Sequence, residues 1–327
     1  MEWGIIGAGL IGAKRASSLS SLGEKVAAVA DVAPERASLL AKDYGCTHFS
    51  DWKKVTRDKS IGAICVATTH DALSAISVDA LLHGKHVLVE KPGGRNPEEV
   101  KEIADAERKS GMKVCVGFNH RFHPAISKAR QVVESGKHGK FLYMRGRYGH
   151  GGRPGYDKEW RFNPEISGGG QLIDQGSHLI DLSRFITGEK FSLAFSDLRN
   201  YYWHAKSEDT ATVLLEANGG GTCLLQTSCV QWKNLFSLEI FLERAQVNVD
   251  GLGKSYGTET LTIHRMRPEM GPPETVVEKF EGDDGSFRAE TEDFIRWIGG
   301  KRGMCAGTAD ALASISIVAE AYARKGK

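Results

Sequence analysis

Trp3-Gly4-Ile5-Ile6-Gly7-Ala8-Gly9-Leu10-Ile11-Gly12 opens the chain with an apolar run that breaks into glycines and resumes with helical spacing. A strand, a tight turn and a helix are predicted in that order, and the order gives each glycine a task. Gly7 permits the turn, Gly9 lets a ligand approach the backbone, and Gly12 lets the helix pack closely on the strand. The helix amino end, at Leu10 and Ile11, offers N–H groups and a positive dipole to an anion. A dinucleotide pyrophosphate fits that geometry. Asp31 lies 19 residues beyond Gly12, at the end of the next apolar run. Its carboxylate can accept hydrogen bonds from ribose hydroxyls and would repel a 2′-phosphate. NAD is therefore favoured, while Arg36 nearby keeps NADP open.

Further apolar runs at 26–30, 61–67, 86–89 and 114–118 alternate with helix-spaced segments such as 33–44 and 72–83. Pro97-Glu98-Glu99 is a helix start, with proline early and acids at the positive end of the dipole. Uninterrupted apolar strands separated by helices predict a doubly wound parallel sheet over residues 1–120. The pattern then changes. A helical segment (120–134), a strand (141–148) and a long polar loop (149–167) precede a helix at 168–187 entered through three glycines. Partly alternating runs follow at 191–203, 210–217, 222–230, 235–250 and 260–264, with turns such as Asn218-Gly219-Gly220-Gly221. They predict an α+β domain over 121–305 with a large, mostly antiparallel open sheet. The amphipathic segment 309–324 predicts a helix within a tail, 306–327, that packs back on the first domain.

The 327 residues are 41% hydrophobic and 26% charged, the balance of a globular protein with room for two domains. A net charge of +2 gives no broad field for nucleic acid or an anionic membrane, so neither is expected as a partner. No apolar run reaches the length of a membrane span. The opening residues read straight into a strand, so no cleavable leader is expected. Six scattered cysteines without a C-x-x-C pair suit a reducing compartment, and a cytoplasmic location is expected.

Three more segments are distinctive: Gly84-Lys85-His86-Val87-Leu88-Val89-Glu90-Lys91-Pro92, Gly117-Phe118-Asn119-His120-Arg121-Phe122-His123-Pro124, and Gly168-Gly169-Gly170-Gln171-Leu172-Ile173-Asp174-Gln175-Gly176-Ser177-His178-Leu179-Ile180-Asp181. With the amino-terminal turn, they make the chain resemble the Gfo/Idh/MocA oxidoreductases along nearly its whole length. The resemblance implies a Rossmann domain, an α/β domain whose open sheet serves as the interface of a homodimer or homotetramer, and NAD(P)-dependent redox chemistry on sugars or cyclitols. One segment departs from the family. Where many relatives carry T-P-N-x-x-H near the nicotinamide, this chain has Thr68-Thr69-His70-Asp71-Ala72-Leu73. Thr68 and His70 are retained as cofactor contacts, His70 either in place of the asparagine or as a solvated loop histidine.

Oxidising a secondary alcohol requires a base for the hydroxyl proton and a group that steadies the developing oxyanion. Lys91 stands just past a strand, at the carboxyl edge where α/β ligands bind. Its ammonium can steady an alkoxide and shuttle a proton, and Lys91 is expected to touch both cofactor and substrate, although position alone would make it a surface lysine. Glu90 can hold Lys91 in place, cap backbone N–H groups or meet the cofactor. A cis Lys91–Pro92 bond is compatible with the motif. Asp174 and His178 are spaced i, i+4 on a helix, so they are expected to share a face. The three glycines are expected to bring backbone, cofactor and substrate together at its start. In the family, the lysine, aspartate and histidine of these motifs converge on the reacting hydroxyl. Lys91 and His178 are thus the expected proton-handling pair, with either as the base. The alternative for Asp174 and His178 is a pair that only stabilises its own helix. No ligand spacing points to a metal.

Arg147, Tyr148, His150, Arg153, Tyr156, Lys158, Trp160 and Arg161 crowd the loop before the glycine-rich helix. Arg153 and Arg161 suit a phosphate or carboxylate, and aromatics stack on sugars. Asn119 and Arg121 are further substrate candidates. The expected substrate is a sugar, cyclitol or sugar derivative, with a nucleotide sugar or sugar acid favoured by the arginines; a solvated loop making subunit contacts is the other reading. Two other functions use the same chain: NAD-dependent glycoside cleavage through transient oxidation and elimination, and a non-catalytic NAD(P) sensor.

Overall fold

The computed structural model describes residues 1–324. Six short strands form one parallel sheet: β1 (Glu2–Ile6), β2 (Lys25–Ala30), β3 (Thr47–Phe49), β4 (Ala63–Val66), β5 (His86–Glu90) and β6 (Val114–Gly117). Their order is β3-β2-β1-β4-β5-β6, so the chain switches direction between β1 and β4. That switch opens a crevice at the strand carboxyl ends, beside the glycine turn. Strands β4 and β6 are buried along their whole length, as expected for a sheet covered on both faces.

Eight strands form the second sheet: β7 (Phe141–Gly149), β8 (Phe191–Arg199), β9 (Thr210–Ala217), β10 (Thr222–Ser228), β11 (Leu235–Leu242), β12 (Ala245–Asp250), β13 (Glu259–Arg265) and β14 (Glu274–Phe280). The order is β14-β13-β12-β11-β7-β10-β9-β8. All neighbours are antiparallel except β7 and β10. Helices Pro124–Glu134 and Ser177–Thr187 pack together on one face. The other face is open. Across it runs a register row, Phe195, Leu214, Leu224, Arg145 and Glu239. Phe195, on the edge strand β8, and Leu224, on the interior strand β10, are 55% and 45% exposed, high values for large apolar side chains on one sheet face. Tyr143 on the same strand as Arg145 stacks on Phe241 at 4.1 Å.

The fold class is that expected from sequence, while the domain borders differ. The first compact unit is Met1–Asn119 with Ser286–Ile315; the second is His120–Gly285 with, among the described residues, 316–324. Residues 286–305, read as part of the second domain, thus belong with the first. Helix Ser286–Ile298 packs on helix Leu10–Ser21, with Trp3 edge-on to Phe294 at 6.2 Å. The tail helix, Thr308–Arg324, is likewise divided. Thr308 donates to Glu107 at 2.7 Å in the first unit, while Tyr322 bonds within the second. Residues 325–327 of the expected tail segment lie outside the described residues. Among the described residues, no helix is long and apolar enough to cross a membrane.

Candidate active site

In the first unit the glycine turn is built as its spacing predicts. Gly7 has φ +96°, and a Cβ there would lie 2.4 Å from the Ala67 carbonyl. A Cβ at Gly12 would lie 1.8 Å from the Gly7 carbonyl, so only glycine lets the helix close on the strand. At Gly9 a Cβ would meet nothing within 4 Å, which leaves an open backbone cradle. Helix Leu10–Ser21 begins there with no side-chain cap and no acid in its first turn. Its first N–H groups are therefore presented to an anion rather than to the protein's own carboxylates. Residues 7–12 fit a dinucleotide pyrophosphate.

Asp31 braces this turn from beside it. One carboxylate oxygen accepts from the Ala8 N–H at 2.7 Å, the other from the Ala33 N–H at 2.8 Å. Each oxygen keeps a lone pair for a ribose hydroxyl. Thr68 donates to the Thr69 carbonyl, and His70 opens helix His70–Leu82 with 3% exposure. The solvated-loop reading of His70 is thereby corrected, because that turn is covered. Lys91 follows β5 through a cis bond to Pro92.

Glu90 serves neither Lys91 nor a backbone cap as its main partner. Arg15, fully buried, meets it through Nε at 2.8 Å and through a terminal nitrogen at 2.7 Å. The same terminal nitrogen lies 2.7 Å from Glu290. Sequence reading missed this triad, since Arg15 looks like an ordinary helix arginine. Asn119, expected at the substrate, donates to the Ser286 hydroxyl at 2.8 Å. Lys85 of the second motif is structural as well, donating to the Ile61 carbonyl at 2.7 Å.

In the second unit, the segment read as one helix is divided. A short turn, Pro164–Ser167, is followed by the glycines, then by a π-helical turn, Leu172–Gly176, which runs into helix Ser177–Thr187. Asp174 lies in the wide turn and His178 in the α-helix, so the simple i, i+4 relation does not hold. Both are buried, at 6% and 4% exposure. Against the His178 ring lies His120, with centroids 3.7 Å apart. His120 Nε2 meets the Tyr148 hydroxyl at 3.2 Å, and Tyr148 in turn bonds Tyr256. Burial pushes the Tyr148 hydroxyl well above the usual phenol range, so it stays protonated. His120 stood inside a quoted motif, yet nothing in the sequence gave it this place.

The candidate substrate arginines are already engaged. Arg121 grips Asp181 with two hydrogen bonds, at 2.8 and 2.5 Å, and both groups are buried. It is a structural ion pair and not a free grip for substrate. Arg153 pairs with Glu159 at 2.5 Å, and Arg161 meets both Glu159 at 3.2 Å and Asp174 at 3.4 Å. The loop itself is no solvated strap. Tyr156 and Phe162 are buried against Cys229, with Trp203 packed beside them. Burial also holds His150 below its ordinary range, and its Nδ1 accepts from the Gly152 N–H at 3.0 Å. No group of His, Cys, Asp and Glu among the described residues has the arrangement of a metal centre.

Comparison with known proteins agrees with this anatomy. Residues 1–118 match the family model of an oxidoreductase family with an NAD-binding Rossmann fold, and residues 126–248 match the GFO/IDH/MocA C-terminal domain. Levoglucosan dehydrogenase of Pseudarthrobacter phenanthrenivorans is 34% identical over 164 residues, 49% of this chain and 42% of that enzyme. The alignment thus spans less than half of that relative's length. Inositol 2-dehydrogenase 2 of Saccharopolyspora erythraea is 28% identical over 90% of this chain and 82% of its own. D-glucoside 3-dehydrogenase of Escherichia coli is 28% identical over 97% and 93%. A solved levoglucosan dehydrogenase in complex with NADH and levoglucosan superposes with a TM-score of 0.88 at 22% identity, covering 100% of this chain and 98% of that one. At that identity the superposition establishes the fold.

Proposed function

Because the chain belongs to the GFO/IDH/MocA oxidoreductase family, with an NAD-binding Rossmann domain at its amino end, we propose that it interconverts a secondary alcohol and a ketone on a neutral sugar or cyclitol. The observation that carries this reading is the open, uncapped glycine turn at Gly9 beside the Asp31 carboxylate. NAD, when bound there, supplies the hydride acceptor. The chain must supply the rest: a group that takes the hydroxyl proton as C=O forms, and a charge that steadies the oxygen. Lys91 and His178 are the two groups for the proton, and the Lys91 ammonium also suits the developing alkoxide. Asp174 accepts hydrogen bonds from the substrate's hydroxyls.

A neutral substrate is favoured because Arg153 and Arg161 already have carboxylate partners. Levoglucosan, inositol and D-glucosides, named for the relatives, are neutral too. The decisive assay is NADH formation at 340 nm with NAD or NADP against inositols, aldoses, sugar acids and nucleotide sugars. NADH formed from a neutral polyol is expected. Free sugar released without NADH would point to elimination instead, and cofactor binding without turnover of any substrate would point to a sensor.

Two substitutions refine this reading. Asp31→Ala removes the group facing the ribose, and hydrogen bonds to a charged group contribute about 1.5–3 kcal/mol. It is expected to lower kcat/KM for NAD by about 10- to 100-fold and to narrow the preference over NADP. Unchanged preference would remove Asp31 from the cofactor site. For Arg153→Ala, exposed ion pairs being weak, KM is expected to shift less than about threefold for neutral and anionic substrates alike. A selective tenfold loss with an anion would reinstate the sugar-acid reading.

Exposed Phe195 and Leu224, with half-buried Leu214 between them in register, support a homodimer or homotetramer through the open sheet face. All six cysteines are free thiols, five of them buried, which supports a cytoplasmic location.

A further inference from the structure

The start of the Asp174 segment has no cap of its own. Glycines at 168–170 cannot supply a side-chain acceptor, yet the first N–H groups of a helix need one. Two residues far away in sequence fill that need. The Tyr322 hydroxyl accepts from the Gly170 N–H at 3.1 Å and the Ile173 N–H at 3.3 Å. The Glu208 backbone carbonyl accepts from the Gln171 N–H at 3.1 Å, and its carboxylate from the Leu172 N–H at 3.0 Å. Tyr322 donates its own proton to that same carboxylate at 2.7 Å. Four consecutive N–H groups are thus satisfied by one tyrosine and one glutamate, and the next residue, Asp174, makes the first bond back to Gly170 at 3.1 Å.

The glycines are explained by the same contacts. A Cβ at Gly169 would lie 2.1 Å from the Tyr322 hydroxyl, and one at Gly170 would lie 2.1 Å from the Glu208 carbonyl. On the side where a Cβ would project from Gly169 and Gly170, the space is taken by the protein itself. Glu208 is buried to 1% exposure, so its charge acts on the helix amino end with little screening. Burial, then Glu208, hold the Tyr322 phenol far above its ordinary range, fixing it as a donor.

We propose that Tyr322, locked on Glu208, is a positioning residue for Asp174, so that the carboxy-terminal helix belongs to the catalytic machinery. The proposal rests on Asp174 acting on substrate. Tyr322→Phe keeps the ring and removes the hydroxyl. It is expected to lower kcat by about tenfold, since small misplacements are costly to catalysis, with the Kd for NADH unchanged. Glu208→Gln retains an acceptor oxygen and is expected to keep most of the activity lost in Glu208→Ala. In an Asp174→Asn background, Tyr322→Phe should add no more than about twofold, as for residues acting through one another. A folded Tyr322→Phe enzyme with unchanged kcat would overturn the proposal, as would a full multiplicative loss in the double variant. If Asp174→Asn itself kept full activity, the assignment of Asp174 would fail first. Should the variants not fold, hydrogen exchange on the wild-type enzyme decides: amides 170–173 must open together with helix residues 316–324, and independent opening refutes the clamp.

Discussion

His178→Ala is expected to reduce kcat with the best polyol by about 10²- to 10⁴-fold, the range for loss of a positioned general acid or base. Lys91→Ala is expected to fall in the same range, and the two together to cost little more than the worse single change if they serve one proton transfer. The reasons differ for each. His178 is buried in a helix face and held by the His120 ring. Its imidazole is thus packed against a neighbouring ring, and truncation to alanine leaves no side chain in that place to move a proton. Lys91, on the proposed reading, is the group that steadies the negative charge developing on oxygen. In both variants NADH should still bind, because the glycine turn and Asp31 are untouched. Initial rates at 340 nm and a fluorescence titration with NADH measure the two quantities separately. Turnover at wild-type rate in both variants would refute the proton-handling pair.

The second large effect concerns stability. Arg15→Met should lower the unfolding free energy of the first unit by about 3–5 kcal/mol, the cost of leaving buried charges without their partner. Arg15 stands between two carboxylates and under the Phe287 ring, 4.7 Å from its centroid. Gly117 marks how tight the site is, because a Cβ would lie 2.8 Å from the guanidinium. Removing Arg15 and Glu290 together, as Arg15→Met with Glu290→Leu, should recover part of the loss. Urea unfolding followed by tryptophan fluorescence reads both variants. A loss below about 1 kcal/mol for Arg15→Met, the worth of an exposed pair, would mean that solvent reaches the triad.

Much of the first unit was legible because its signals are local. The glycine turn and five apolar strands each declare themselves within a dozen residues, and Asp31 within about twenty of the turn. Strand β3 did not, being three residues long and largely exposed. In the second unit, the run 235–250 read as continuous because the turn at Glu243-Arg244 contains no glycine or proline. It is the hairpin of β11 and β12. Strand β14, with five exposed residues, showed no buried stripe. Arg121, Arg153 and Arg161 were read by residue type, and type alone does not reveal that Asp181 and Glu159 neutralise them. The glycines at 168–170 were noticed for a close approach, and at Gly169 and Gly170 the close neighbours within the chain are Tyr322 and Glu208. Tyr322 lies 114 residues from Glu208, beyond any pattern in spacing.

The single parallel pairing, β7 with β10, has a consequence for how the large sheet assembles. Strands β8 to β10 form one meander and β11 to β14 another, each closed by neighbours in sequence. Such local ribbons form early, since little chain entropy is lost in closing them. Strand β7 precedes both and must thread between their free edges, where it bridges β10 and β11. The middle of the sheet is thus expected to be completed last, with two unsatisfied edges left until β7 fills the gap between them.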